Sequence, residues 1–327
     1  MTDKTGRKNW LVPVLVLVLL VGGSLLFRAI FPPFTPPALP DANGYDDFCR
    51  AAGRLAERTG FYREMSPAEL QSVVEQNRPA LALVREGLRK ECQVTLNWSG
   101  DRAWLDNVHE KNLNAMRALS RAFSAAAWQA NRDGEIEGAV QYGLDTIDLA
   151  NQCAQGGLLV DRMMAGGVHY AALFSLQKQV SQLNKTDSMR LLKTLQITPL
   201  RLEPPEAVLQ REKAFFRRMN GVLQTMMMTG VIREQHKRSL EQMEKSDTQH
   251  AVLEKLLQTH IALHTYQLDH DGQLPTKLDA LVPDYFVSVP QDDFSGNPLL
   301  YRTTETGYRL YSVGADGSDD QGLSLIH

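Results

Sequence analysis

Near the C-terminus, Ser312-Val-Gly-Ala-Asp-Gly-Ser-Asp-Asp320 places three carboxylates, Asp316, Asp319 and Asp320, close together on a stretch that Gly314 and Gly317 allow to curl. Clustered carboxylates repel one another until a cation neutralises them. Hard oxygen donors on such a loop suit calcium, which takes about six to eight oxygens, backbone carbonyls among them. The order Asp-x-Asp-x-Asp-Gly with a downstream Glu is absent, so this is not an EF-hand. The same residues also read as a solvated acidic turn that binds nothing.

A second constellation lies upstream. His250, His260 and His264 fall in one helical stretch with His270 just beyond it, and the four-residue spacing of His260 and His264 puts both on one face. A zinc helix needs that spacing. A zinc protease also carries a general-base Glu directly after the first histidine, and here Ile261 occupies that place. A metal-dependent envelope hydrolase using His260, His264 and Asp269 is therefore an alternative; structural histidines are the ordinary outcome. No nucleophile and base pair, phosphate loop or cofactor fingerprint is legible. No catalytic residue and no organic cofactor are assigned, and the chain is read as something other than an enzyme.

The elements that must carry these residues are helical from Tyr45 to about Leu268. Ser66-Pro-Ala-Glu69 is a capping box with proline at the first helical position. Leu70, Val73, Val74 and Asn77, then Leu81, Val84 and Leu88, recur at spacings of three and four and make a stripe that another helix must cover. Residues 103–152 read as an antiparallel hairpin broken at Asn131-Arg-Asp-Gly134. A long helix over 156–183, a shorter one from Thr186 to before Pro199, and one from Glu206 through Met226-Met-Met228 toward Met243 follow. Methionine commonly fills irregular gaps, so that Met cluster is expected in the core. Leu299–Arg302 and Gly307–Ser312 alternate apolar and polar residues and predict two antiparallel strands. The expected fold is mainly α, a multi-helix hairpin or bundle-like domain with a small C-terminal α+β subdomain and a short antiparallel sheet.

The order of motifs at the end of the chain is specific. A helix ending Tyr266-Gln-Leu-Asp-His-Asp-Gly272 runs into Leu274-Pro275, then Leu281-Val-Pro-Asp-Tyr285, Val289-Pro290, Asp293-Phe-Ser-Gly-Asn-Pro298 and Tyr311-Ser-Val-Gly-Ala-Asp-Gly317. This order resembles the C-terminal part of the major pseudopilin of type II secretion, without that family's prepilin leader. The resemblance implies a spine helix stopped at Gly272, an extracytoplasmic address, and a structural calcium in the terminal loop. Asp316, Asp319 and Asp320 fall on or near the family's acidic positions, and carbonyls near Tyr311 and Val313 complete the shell by analogy. Trp128 through Ala139, with Gly134 at its turn, resembles the middle of a tetratricopeptide unit, but no second copy recurs at a fixed period.

Trp10 through Phe31 is almost uninterrupted Leu, Val, Gly and Ile, and a membrane-crossing helix needs about 20 such residues. Lys4, Arg7 and Lys8 precede it against Asp3 alone, so the positive-inside rule leaves the N-terminus in the cytoplasm and the bulk outside. A cleaved secretory signal is the alternative. The expected organisation is a cytoplasmic tail over 1–9, a transmembrane signal-anchor over 10–31, a Pro-rich linker over 32–44, a helical domain over 45–245, and a pseudopilin-like helix with hairpin and acidic loop over 246–327. Cys49, Cys92 and Cys153 would then sit in an oxidising space that permits a Cys49–Cys92 disulfide, although helical cysteines are commonly small buried apolar groups.

The net charge is −3, with 35 basic and 38 acidic residues and no long basic stripe, which argues against nucleic acid as a partner. Residues 1–31 hold four basic and one acidic side chain, so the remainder carries −6. The chain reads as a membrane-anchored scaffold or interaction protein with protein partners, beside a type II secretion or pilus-like apparatus. A helical-repeat receptor of the envelope is the alternative. The calcium reading has a direct check: the melting temperature of the purified protein rises in millimolar Ca²⁺ relative to EGTA, and Asp316→Ala removes the difference. Identical melting in both buffers would show the acidic turn to be solvated only.

Overall fold

The computed structural model describes residues 14, 21–22, 34–56, 62–227 and 229–317. Apart from Val14, Val21 and Gly22, the proposed anchor over 10–31 lies outside them, and so do Asp319 and Asp320. Among the described residues no helix is long and apolar enough to cross a membrane. Residues 34–40 have no regular structure, and the described residues from Leu39 onward form one compact unit.

The unit is mainly helical. Helix α1 spans Gly44–Ala52 and α2 Pro67–Gly87. A single turn, Arg102–Trp104, and a π-helical turn, Leu105–His109, lead into α3, Glu110–Arg132. Then come α4, Ile136–Gln152; α5, Leu159–Gln177; α6, Lys185–Ile197; α7, Pro205–Met227; and α8, Thr229–Asp269. Strands β1, Leu300–Thr304, and β2, Gly307–Tyr311, pair antiparallel with Thr304 opposite Gly307, so Glu305 and Thr306 make a two-residue turn.

The start of α2 follows the expected chemistry. Ser66 Oγ accepts from Glu69 N at 3.4 Å while Glu69 Oε2 accepts from Ser66 N at 3.0 Å. Asn77, placed by periodicity on the apolar stripe, is fully buried and tolerated there because its Oδ1 accepts from Ala56 N at 2.8 Å. Helix α5 ends at Gln177, six residues short of the expected 183; a 3₁₀ turn, Val180–Gln182, finishes the segment. The helix expected from Glu206 toward Met243 is broken at Gly221, where φ is +76° and only glycine escapes a steric penalty. What had read as a helix starting near Asp247 is the second half of the 41-residue α8. Met227 is 82% exposed, which overturns the core assignment at that position, whereas Met243 is buried.

Among the described residues the unit has three apolar clusters, two large and one small (Met65, Leu70, Val73 and Ala125). The first joins Tyr45 and Phe48 of α1, Leu81 and Val84 of α2, Met116, Leu119 and Phe123 of α3, and Met164 and Val168 of α5. The second joins Leu173 and Leu176 of α5 to Leu191, Leu192 and Leu195 of α6, Val252, Leu257 and Ile261 of α8, and Leu278, Leu281 and Tyr285 beyond it. Helix α5 thus gives its first half to one core and its second half to the other. It also packs on α3, α4, α7 and α8. Cys49, Cys92 and Cys153 are free thiols, so no Cys49–Cys92 bridge forms. Burial raises all three above the ordinary thiol range, Cys49 and Cys92 to about 12, and they behave as small apolar groups.

The closest approach is where α1 meets the end of α2. A Cβ on Gly44 would collide with the Gly87 carbonyl oxygen and lie 2.5 Å from Cys92 Sγ. Backbone cannot yield as a side chain does, so Gly44→Ala lowers the unfolding free energy by about 1–3 kcal/mol in urea titration. Gly167→Ala, where a Cβ meets nothing within 4 Å on a helix, is neutral or stabilising by up to about 1 kcal/mol. Equal effects at the two positions would sink the close-approach argument.

Candidate interaction groove

The acidic C-terminal turn is held first by a residue that sequence reasoning did not single out. Asp292 is 1% exposed; its Oδ1 accepts from Phe294 N at 3.0 Å and from Ser312 Oγ at 2.9 Å, and its Oδ2 accepts from Val313 N at 2.9 Å. The Ser312 hydroxyl oxygen also accepts from Gly314 N at 3.0 Å. One buried carboxylate thereby ties the excursion over 290–298 to the exit of β2. Gly314 and Gly317 both have φ of +70°, the curl that their spacing suggested. Asp316 is exposed on that turn, while Asp319 and Asp320 lie outside the described residues. No group of three His, Cys, Asp or Glu side chains able to hold a metal occurs among the described residues.

The histidines are occupied separately. His260 Nδ1 bonds the Tyr308 hydroxyl of β2, whereas His264 Nε2 donates to the Leu183 carbonyl at 2.9 Å. A nitrogen that donates a proton to a carbonyl has no lone pair for a metal. His250 and His169 meet through their Nδ1 atoms at 3.3 Å, with His169 Nε2 2.9 Å from Glu254 Oε1. His270 stacks on Tyr266 at 3.7 Å between ring centroids. Asp269 accepts from Tyr285 Oη at 2.9 Å and pairs with Lys185 at 2.6 Å. Those partners, Lys185 foremost, hold its carboxyl below the usual carboxylate range. The zinc-helix spacing is therefore spent on wiring α8 to the hairpin and to the residue that closes the 3₁₀ turn after α5.

Ionic contacts fix the start of α5. Arg162 makes two 2.7 Å bonds to the Asp247 carboxylate and one to the Glu203 carbonyl at 3.2 Å. Arg211 forks onto Glu203 at 2.6 and 2.9 Å and also donates to the Gly157 carbonyl. Asp161 Oδ2 accepts from Leu158 N at 2.7 Å and Glu212 Oε2 from Leu159 N at 3.0 Å, so two carboxylates satisfy the first amides of the helix. His109, delivered by the π-helical turn and stacked on Trp104 at 5.3 Å, lies 3.2 Å from Asp161.

So held, α5 leaves one face only partly covered. Val160, Met163, Gly167, Tyr170, Phe174 and Lys178 recur at spacings of three and four along it; Met163 is 58% exposed and Tyr170 45%. Two recesses flank this face and share Tyr170 and Phe174. One, about 580 Å³, lies between α3 and α5, with Arg63, Arg121, Ser124, Trp128 and Lys178 in its wall. The other, about 520 Å³, lies between α5, α8 and the hairpin, with Leu253, Leu257, His260, Tyr308 and Arg309 in its wall. Lys178 Nζ sits 5.0 Å over the Trp128 ring and 4.5 Å over Phe174; Arg63 Cζ is 5.6 Å over Tyr62 and over Phe174. These cation–π contacts orient the rings without neutralising the cations. The arrangement has the chemistry of a binding groove, apolar and aromatic along its floor and positively charged at its edge. Sequence reading had noted Trp128 only within a hairpin; its signal was an exposed tryptophan on a helix whose opposite face is alanine-rich.

No family model, no curated protein and no solved structure matches the chain.

His260, half-buried beside the groove, is pulled from the ordinary 6.5 to about 4 by loss of hydration and by the neighbouring His264; burial and His169 do the same to His250. The folded chain thus refuses protons that the unfolded chain accepts. Stability from these groups is intact above about pH 6.5, falls as the pH drops, and is lost by about pH 4. Urea titrations across that window give a smaller acid loss in His260→Gln than in the parent. Equal slopes would show that His260 does not contribute.

Proposed function

We propose that the chain is a membrane-anchored, extracytoplasmic interaction protein whose helical array holds a segment of a partner polypeptide in the groove along α5. The observation that carries this reading is the apolar stripe from Val160 to Phe174, exposed at Val160, Met163 and Tyr170 and half-buried at Phe174, on a helix that packs against four others. Contiguous exposed apolar surface rimmed by polar groups is the ordinary mark of a binding site. An amphipathic segment laid on such a face is a recurring mode of peptide recognition.

The anchor over residues 10–31 and the basic residues before it support the address, and the proline-rich stretch after it supports a stiff spacer. The pseudopilin-like order of motifs supports a place beside a type II secretion or pilus-like apparatus, with a structural calcium at Asp316, Asp319 and Asp320. Within that reading the C-terminal hairpin supplies one wall of the groove through Tyr308 and Arg309.

Photo-crosslinking in cells separates this reading from a purely structural one. A photoreactive residue at Met163 or Tyr170 gives a discrete adduct, and one at Arg190, exposed on α6 away from both recesses, gives none. Reporter fusions after His327 report from outside the cytoplasm. Adducts at all three positions or at none, or a reporter active only inside, would remove the proposal.

A further inference from the structure

We propose that the occupant of the groove is an acidic amphipathic segment of a partner protein, its apolar side chains seated on Tyr170, Phe174 and Trp128 and its carboxylates facing Lys178, Arg121 and Arg63. This rests on the groove being a polypeptide site and adds the chemistry of what it takes.

Charge segregation carries the inference. The chain is acidic overall, at −3, yet Arg63, Arg121, Lys178 and Arg309 line the two recesses against a single carboxylate, Glu64, among the described residues. Several bases elsewhere are paired, Arg162 with Asp247, Arg211 with Glu203, Arg85 with Asp145 and Lys255 with Asp293. Among the described residues no carboxylate pairs with any of the four groove cations. On α3 the outward positions add Arg117, exposed one turn before Arg121, so the positive edge continues past the recess. Electrostatic complementarity selects partners and sets their register, and an unanswered positive rim selects negative ones.

The floor decides what kind of anion this is. From Val160 to Lys178 the stripe runs for about 27 Å at the rise of an α-helix, the length of a helical partner segment of similar extent. Leu173, Leu253 and Leu257 in the recess beside α8 are aliphatic, and aliphatic surface rewards burial of Leu, Val or Phe side chains. An acidic polysaccharide would stack on the flat rings and gain nothing from that part of the floor. Nucleic acid would require a longer basic track than this rim offers. A second copy of the chain would repeat the same positive rim on both sides if it met face to face, at a cost in like-charge repulsion.

The test uses the full chain in phosphatidylcholine nanodiscs, with empty discs as the blank. The probe is a fluorescein-labelled peptide of about 16 residues bearing Leu and Phe at three- and four-residue spacings and Glu elsewhere. Matched peptides carry Gln or Lys in place of Glu. Anisotropy titration is expected to show the Glu peptide binding about tenfold more tightly than the Gln peptide, as several exposed ion pairs together provide, with the Lys peptide weakest. Raising the salt erodes the Glu advantage. The double variant Arg121→Glu, Lys178→Glu reverses the order of the Glu and Lys peptides, and Tyr170→Asp removes binding of all three. Equal affinity for Glu and Gln peptides, abolished by Tyr170→Asp, would overturn the acidic preference and leave the groove reading intact. Binding of none of them overturns this proposal, and the crosslinking at Met163 and Tyr170 then decides the groove reading independently. Displacement of the Glu peptide by oligogalacturonate at equal charge concentration, or a dimer in light scattering that Tyr170→Asp dissolves, would also overturn it in favour of those occupants.

Discussion

The architecture depends on the ionic clamp at the start of α5. Arg162 with Asp247 and Arg211 with Glu203 are forked pairs drawn from α5, α7, α8 and the segment between α6 and α7. Both arginines are buried. The two carboxylates stay partly exposed, 39% at Asp247 and 22% at Glu203, so solvent screens both pairs and the clamp fixes geometry more than it adds net stability. What it fixes is the position and rotation of a helix that both cores share. Asp161 and Glu212 complete it by accepting the first amides of α5, where Leu158 and Leu159 offer no capping side chain of their own.

A helix held at its start and buried on one side has little freedom over what its other side presents. The first half of α5 packs Met164 and Val168 into one core, and the second half packs Leu173 and Leu176 into the other. With those positions committed, Val160, Met163, Tyr170 and Phe174 must face outward by helical geometry. Leaving them apolar forgoes solubility, and nothing in the packing of α5 requires it. The rings are moreover oriented by Lys178 and Arg63, which stand over Trp128, Tyr62 and Phe174. A surface whose side chains are fixed before a ligand arrives loses less entropy on binding.

The parts of this fold that were legible in the sequence are those governed by local chemistry. Ser66 and Glu69 form the capping box their spacing announces, Gly272 stops α8 with φ of +81°, and Gly307 to Tyr311 pairs antiparallel with Leu300 to Thr304, as the alternation predicts. The parts that were not legible depend on partners far along the chain. The cap of α5 arrives from Glu212, 53 residues on from Leu159, and the buried Asp292 acts on Ser312, 20 residues on. His260 and His264 carry the spacing of a metal helix, and only their neighbours, Tyr308 and Leu183, show that the spacing serves packing. Gly221 could not be told from a tolerated helical glycine until its φ was seen. The groove was illegible because it is formed by what α5 does not touch.

One strand connects the acidic turn to the groove. Strand β2 offers Tyr308 and Arg309 to the recess beside α8, and its exit, Ser312 and Val313, is bonded to Asp292. Tyr308 also reaches His260, so the same strand is wired to α8 within that recess. Displacing β2 therefore disturbs the Asp292 bonds and the groove wall together. By linkage, a ligand that favours one position of β2 at the turn must change the affinity of any groove occupant that contacts the strand, and the occupant must change the affinity of that ligand by the same factor. The short sheet, two strands that could not stand alone in water, is thereby kept in register by the buried carboxylate at one end and the histidine of α8 along its face, and that register sets the shape of the groove wall.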